Sequence, residues 1–290
     1  MDSKFSKSWI NMRIHYDTIA RSGILNEFIE KNNLKQNIHM IDMCTGSGSF
    51  LIWALKQGLF PNRAILVDND INLLKSIKSN LRQNFKNIYA IKSNTNNLDL
   101  TISDKSQQKF DVSIVKENCD TYEIKGPQPH IISYSAAIDL MSKSSIDICL
   151  DKIKHDNILF LSLCFDGKVK WKLSHPYDKY IMSYFNKHQS YDKGFGKALG
   201  YKSIDYVSKK ARELGYKVKI ADSPWIIQNE SLDDIIFLKR YVSDIKKSLF
   251  HMDGIDRSML RRWHSDKIDS ITNKSIKVQV GHKDLLLYKK

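Results

Sequence analysis

Two acids frame the first chemistry this sequence offers. Asp42 closes an apolar run at 38–43, Asp68 closes another at 64–68, and Gly46-Ser-Gly48 lies between them. Closely spaced glycines after an apolar run let the backbone approach a ligand, and they present N–H groups at the start of the next helix. The Asp42 carboxylate repels a pyrophosphate and suits a cationic ligand. A nicotinamide-binding turn reads GxGxxG, with a third glycine for close helix packing, and Leu51 stands at that third place. A phosphate loop needs Gly-Lys-Ser/Thr, which does not follow here.

A second cluster, FNKHQSYDKGFGKALG at 185–200, gathers groups suited to recognising a substrate. His188 and Asp192 are candidate proton acceptors, since imidazole titrates near neutrality and would serve a hydroxyl or ammonium acceptor. Asn186, Gln189 and Lys193 are candidate substrate contacts, and Gly194 and Gly196 allow a tight backbone. The competing structural reading is a helix end with a satisfied histidine and a glycine-rich turn. His175 and Asp178 lie nearby. Arg13, Asp17 and Arg21 share one helical face; they form an ion ladder worth a few tenths of a kcal/mol, or Arg13 or Arg21 reaches a carboxylate of cofactor or substrate. Gly281-His282 either abuts the same site or marks a bulge.

These residues need elements to hold them. Periodicity predicts an N-terminal helix over 8–31, a strand at 38–43, a helix from about 49 to 57 ended by Gly58, a strand at 64–68 and a second amphipathic helix. Segments 88–92 and 110–116 both read as strands, with a polar loop between them; 110–116 is favoured as the third strand of the sheet. Further strands are expected at 130–135, 157–165 and 216–223, and a last one is broken at Gly281. Helices are expected over 136–154 and 204–214. The polar, aromatic stretch at 165–200 and a helical piece at 230–270 read as inserted lid or substrate segments. No linker separates two cores, so residues 1–290 read as a single domain.

Composition narrows the function classes. The chain has 290 residues, 42% of them hydrophobic, ample for a full core. Its apolar runs are strand-sized, so no transmembrane segment is expected, and no secretory signal or myristoylation glycine is read at the N-terminus. Cys44, Cys119, Cys149 and Cys164 are far apart in sequence without metal spacing, so no metal site is expected and a reduced, cytoplasmic compartment fits. The net charge of +14 is almost all lysine. It reads either as a footprint for RNA or as scattered solvated helix faces; nucleic-acid readers favour arginine, so the second reading is preferred.

With strand, glycine turn, helix and acid-ended strand in order, DMCTGSG resembles motif I of the class I S-adenosylmethionine-dependent methyltransferases, written (D/E)xGxGxG. Asp42, Gly46 and Gly48 match. Cys44 replaces the first glycine, which is free of cost only where positive φ is not required. The resemblance implies a doubly wound, mostly parallel seven-stranded α/β sheet (the Rossmann-like methyltransferase fold) with helical insertions. It implies S-adenosylmethionine as cofactor, with Asp42, Cys44, Thr45, Gly46 and Gly48 around its methionine end. Asp68, with Asn69 beside it, would accept from the ribose hydroxyls. The adenine contact is Asn118 or Asp120 if 110–116 is the third strand, and Asn94 or Asn96 if 88–92 is. Ser133 would lie near the transferred methyl.

The (D/N/S)PP(Y/F) motif of nucleic-acid and protein-glutamine enzymes is replaced by SYSA, with Ser223-Pro-Trp225 only a loose echo after a later strand, and no Pro-Cys follows the fourth strand. The 185–200 cluster is similar to one in a bacterial branch of small-molecule methyltransferases with no assigned substrate. The expected activity is O- or N-methylation of a small-molecule acceptor by in-line displacement, where alignment can supply about 7–11 kcal/mol. The alternatives are an RNA methyltransferase using the lysine-rich surface and a catalytically inert cofactor-binding or scaffold module. No feature of the sequence points to a particular oligomeric state.

Overall fold

The computed structural model describes residues 6–34, 38–86, 89–93, 99–103, 108–125, 130–153, 157–274 and 276–289. Five apolar runs lie side by side as parallel strands: β1 (His39–Met43), β2 (Arg63–Asp68), β5 (Lys109–Lys116), β6 (His130–Ser135) and β7 (Ile158–Trp171). Such runs, apolar on both faces, require cover on both sides of a sheet. Two strands near the chain's end, β8 (Lys217–Asp222) and β10 (Val278–Tyr288), complete the far edge; β10 runs antiparallel to both β7 and β8. The frame order is β5-β2-β1-β6-β7-β10-β8.

The described sheet has ten strands rather than seven. β3 (Ala90–Ser93) and β4 (Leu100–Ser103) form an antiparallel hairpin outside β5, and β9 (Trp225–Ile227) pairs with β10. β4 and β9 hold four and three residues, too short for alternation to stand out from a polar setting. The third strand of the frame is 109–116, which pairs with β2 in parallel.

Several helices are shorter than their periodicity suggested. The 8–31 stretch is two helices, α1 (Lys7–Ala20) and α2 (Ile24–Lys31), because Arg21 leaves helical geometry (ψ 133°). α3 (Ser49–Lys56) follows the glycine turn; α4 (Ile71–Leu74) and α5 (Ile77–Asn84) follow β2. In place of one helix over 136–154 there is a short 3-10 turn (Ile138–Leu140) and then α6 (Lys143–Asp151), capped by Ser142. The 165–200 segment is not irregular throughout: β7 continues to Trp171, and α7 (Asp178–Gln189) follows. α8 (Ser203–Glu213) precedes β8. The 230–270 piece is α9 (Leu232–Leu249), opened by a Ser231/Asp234 capping box, and α10 (Arg257–Thr272), capped by Asp256.

Apolar clusters fill both faces of the parallel strands; Trp53 of α3, fully buried, stacks on Phe160 of β7. A third cluster lies where β7 outruns β6. There β7, β10 and β9 carry a layer made of α1, α7, α9 and α10, with Trp225, Phe237 and Trp263 at its centre. Among the described residues no helix is long and apolar enough to cross a membrane.

One buried acid joins these layers. Asp284 of β10 accepts from the Leu163 N–H of β7 at 2.8 Å, and from the backbone N–H and hydroxyl of Ser22 at 2.7 and 2.8 Å. It thereby pins the α1–α2 corner onto the sheet at the point where Leu163 takes a left-handed conformation (φ +56°). Removing the carboxylate strands buried donors, each costing about 1–3 kcal/mol. Asp284→Ala is therefore expected to lower the unfolding free energy by about 3 kcal/mol or more in urea denaturation.

Candidate functional site

The crevice at the carboxyl ends of the parallel strands opens between β1 and β6. There the strand order reverses, with β2 and β5 to one side and β6 and β7 to the other. Ligands of open α/β sheets bind at such a point. The turn after β1 is left-handed at Cys44 (φ +55°), Gly46 (+56°) and Gly48 (+85°). A Cβ on Gly48 would stand 3.3 Å from Ile77 Cγ2, and one on Gly46 3.8 Å from Ile10 Cγ2. The turn is therefore held between α5 and α1. Asn80 of α5 ties the three together, its amide donating to Ser47 O and Asn11 Oδ1, each at 3.1 Å. Cys44 does need positive φ, so a side chain stands where the backbone favours glycine, at a cost of about 1–2 kcal/mol.

Asp42 is completely buried. Ser133 Oγ donates to its Oδ1 at 2.5 Å and Thr45 Oγ1 to its Oδ2 at 2.6 Å. Ser133 is its register partner across the β1–β6 seam. Burial pushes the Asp42 pKa up to about 6, while the two hydroxyls and Arg21 pull it down. Both oxygens thus serve the protein's own groups and shape the turn from beneath.

Asp68 faces the turn from the end of β2. Its Oδ2 accepts from the Gly46 N–H at 2.8 Å and its Oδ1 from the Asp70 N–H at 2.9 Å; burial raises its pKa. Beside it, Asn69 Nδ2 donates to Asn118 Oδ1 at 2.9 Å across the exposed gap between the ends of β2 and β5. Asp120 is turned the other way, accepting from Ser145 Oγ at 3.0 Å. Asn94 and Asn96 lie outside the described residues.

Strand order, an antiparallel β10 between β7 and β8, and a left-handed turn after β1 facing an acid at the end of β2 now stand together. The chain has the Rossmann-like methyltransferase fold. No family model matches it, and no curated protein does. Among solved structures it is similar to the YcgJ protein of Bacillus subtilis (12% identity, 92% of this chain and 98% of that one, TM-score 0.48). It is also similar to S-adenosylmethionine-dependent methyltransferases from Thiobacillus denitrificans (10%, 100% and 94%, 0.43) and Geobacter sulfurreducens (10%, 96% and 98%, 0.44), both in complex with S-adenosylhomocysteine.

Arg21 occupies the floor of the crevice. It is buried, and every hydrogen bond it makes is to a neutral group: Nε to Ser162 Oγ (3.2 Å), Nη2 to Ser135 Oγ (2.6 Å) and Ser49 Oγ (2.9 Å), and Nη1 to Ser49 O (3.5 Å). Among the described residues no carboxylate pairs with it, and burial pulls its pKa down. Arg13 differs. Its Nε bonds both Asp17 oxygens at 3.0 and 3.2 Å, and its guanidinium sits 4.9 Å above the Trp225 ring. Of the expected ladder, the Arg13–Asp17 rung forms and Arg21 leaves the helix.

The 185–200 residues gather at the end of α7 and against residues 141–145, directly after the turn that follows β6. Lys193 Nζ lies 3.4 Å from His188 Nδ1. Burial and the Lys193 charge hold the His188 pKa down to about 4. Asp192 Oδ1 accepts from the N–H groups of Gly194 and Gly196, Asn186 Nδ2 donates to Gly167 O, and Gln189 packs beside Gly200. Among the described residues none of these side chains hydrogen-bonds the glycine turn. His175 and Asp178 join a structural knot with Asp266, Lys267 and Trp263. Three cysteines distant in sequence meet behind the turn: the Cys119 thiol beside it and its burial push Cys44 well up, and Cys149 lies next to them. Among the described residues no group of three or more His, Cys, Asp or Glu could hold a metal ion.

Sequence reading passed over Ser49, Ser162, Asp139 and Asp284. Asp284 carried a signal, a lone acid inside the apolar run DLLLY, and so did Asp139 inside SAAIDLM.

Two outcomes follow. Cys44→Gly should raise stability by about 1 kcal/mol, and Gly48→Ala should lower it by about 1–2 kcal/mol, both read by urea denaturation. Asp42 ionises near 3.8 when unfolded and near 6 when folded, so the native state holds the extra proton between these values. The stability it contributes is complete below about pH 4 and is lost as pH rises through 6. Measured against Asp42→Asn, wild type should therefore lose roughly 2 kcal/mol of stability from pH 4 to 7.

Proposed function

We propose that this protein transfers a methyl group from S-adenosylmethionine to a small-molecule acceptor. The observation that carries the reading is the Asp68 carboxylate, fixed by the Gly46 N–H at 2.8 Å across a left-handed turn at the switch point of the sheet. The residues present fit this cofactor by their chemistry. Asp68 retains lone pairs for ribose hydroxyls. Asn69 and Asn118 form a polar rim suited to adenine edges. Gly46 and Gly48 supply the left-handed turn that α1 and α5 hold in place beside it. Arg21, a buried cation with only neutral partners, is matched to the carboxylate of the methionine end. Asp42 and Ser133 act on the turn beneath and keep its N–H groups in place.

When bound, the cofactor supplies a methyl group on a positively charged sulfur, open to in-line displacement by an acceptor lone pair. The chain's own residues align the partners and exclude water, the role expected of α1, which lies over the turn through Ile10. A small acceptor is favoured because α1, α7, α9 and α10 cover β7, β9 and β10 beyond the parallel strands, which leaves little open floor for a nucleic acid. His188 and Asp192 remain proposed acceptor-side residues, with Asn186, Gln189 and Lys193 around them.

Calorimetric titration with S-adenosylhomocysteine tests the reading. Wild type should bind at micromolar Kd, and Asp68→Ala should bind at least tenfold more weakly, about 1.4 kcal/mol. No binding by folded wild type would sink it.

A further inference from the structure

Two hydrogen-bond acceptors beside Phe165 are buried without a partner among the described residues. Asp139, in the 3-10 turn directly after β6, is 8% exposed, and its Oδ1 has no hydrogen-bond partner. His282 of β10 is 5% exposed, and its Nδ1 has none. The two lie on the same ring of residues. His282 is the cross-strand register partner of Phe165, and its ring stands 6.0 Å from Phe165 and 4.8 Å from Trp225. The Phe165 N–H reaches the Asp139 carboxylate, and Arg13, above Trp225, acts electrostatically on both Asp139 and His282. Buried polar groups left unpaired are costly, of the order of 1–3 kcal/mol each. Two of them, both neighbours of Phe165 and one packed on Trp225, leave an unmet demand for a donor.

The local charge sets the sign of that donor. Arg13 pairs with Asp17, which also accepts from Trp225 Nε1 at 3.0 Å. Asp139 thus shares the Arg13 charge with Asp17 and has no ion pair of its own among the described residues. His282 hydrogen-bonds the Val280 backbone, so the lone pair at Nδ1 is the free acceptor. Both orphans accept; neither donates. Position completes the argument. Ile10 touches the glycine turn and Arg13 touches Trp225, one turn apart on α1, about 5 Å along its axis.

We propose that Asp139 and His282, walled by Phe165 and Trp225, bind the amino group of a small-molecule amine, which is the methyl acceptor. This rests on the methyltransferase reading for what happens to the amine, but not for its binding. Asp139 balances the ammonium charge, and His282 Nδ1 accepts a second of its N–H bonds. Asp139, whose basicity burial raises, takes the proton that frees the nitrogen lone pair.

The test uses the full chain, with and without S-adenosylhomocysteine, and three probes: methylamine, phenethylamine and tryptamine. 2-Phenylethanol and phenylacetate serve as neutral and anionic counterparts of phenethylamine. Saturable amine binding that shifts the His282 Nδ1 resonance in nitrogen-15 NMR is expected, with the alcohol at least tenfold weaker. Asp139→Asn should weaken amine binding at least tenfold while its Tm stays equal to or above that of wild type, because an orphaned buried charge is gone. A merely structural Asp139 would instead lower Tm and leave amine affinity unchanged. That result, tighter binding of phenylacetate than of phenethylamine, or no saturable binding of any amine would overturn the proposal. Homocysteine-cofactor binding is followed in the same samples: its loss in wild type speaks against the methyltransferase reading, whereas its persistence without amine binding speaks against this site alone.

Discussion

The crevice depends on a carboxylate that never meets solvent. Asp42 lies at the seam where the sheet changes direction, and its two oxygens are taken by Ser133 from β6 and Thr45 from its own turn. That arrangement does two things at once. It locks the register between strands that are far apart in sequence, and it fixes the peptide planes of a turn with three left-handed residues. A neutral pair could pack the seam as well. The acid adds negative potential beneath the place where a cation is expected, at the cost of an ionisation that burial opposes.

Charge in the rest of the site follows from this. Asp17, Asp42, Asp139 and Asp284 are all buried around one end of the sheet, and Arg21 is the buried cation among them. Each acid but one is engaged on both oxygens by protein groups: Asp17 by Arg13 and Trp225, Asp42 by hydroxyls, Asp284 by backbone and Ser22. Backbone strain collects in the same place: Cys44 and Ala136 are left-handed just beyond the ends of β1 and β6, and Leu163 is left-handed within β7 just past its pairing with β6. Strain and unmet polar groups persist only where the surrounding fold over-determines them, and they concentrate at functional sites.

Much of this was legible in the sequence. Asp42, Gly46, Gly48 and Asp68 announced themselves because strand-to-turn punctuation is local, and the favoured third strand at 110–116 is the one that pairs with β2. What was not legible is what depends on distant partners. Nothing near Cys44 reveals that its φ is positive, whereas the Ser22-Gly23 pair beside Arg21 did mark the helix stop and was outweighed by the run of apolar residues on both sides. The hydroxyls that receive the Arg21 guanidinium come from Ser49, Ser135 and Ser162. The start of the 165–200 segment looked irregular because its polar and aromatic residues alternate along the part of β7 that outruns β6 and pairs with β10 alone, so that neither face has a plain apolar stripe. His188 and Asp192 drew notice by composition; in the fold the Asp192 carboxylate caps its own glycine-rich loop.

The bond between Ser22 and Asp284 spans 262 positions of chain. The roof over the crevice and its fastener thus come from segments some 262 positions apart. During synthesis the glycine turn, β2 and β5 can assemble early, but α1 gains its anchor on β10 only once Asp284 has left the ribosome. Contacts of such long range are slow to form. Until then the cleft can be built but uncovered, with α1 lacking its anchor on the sheet.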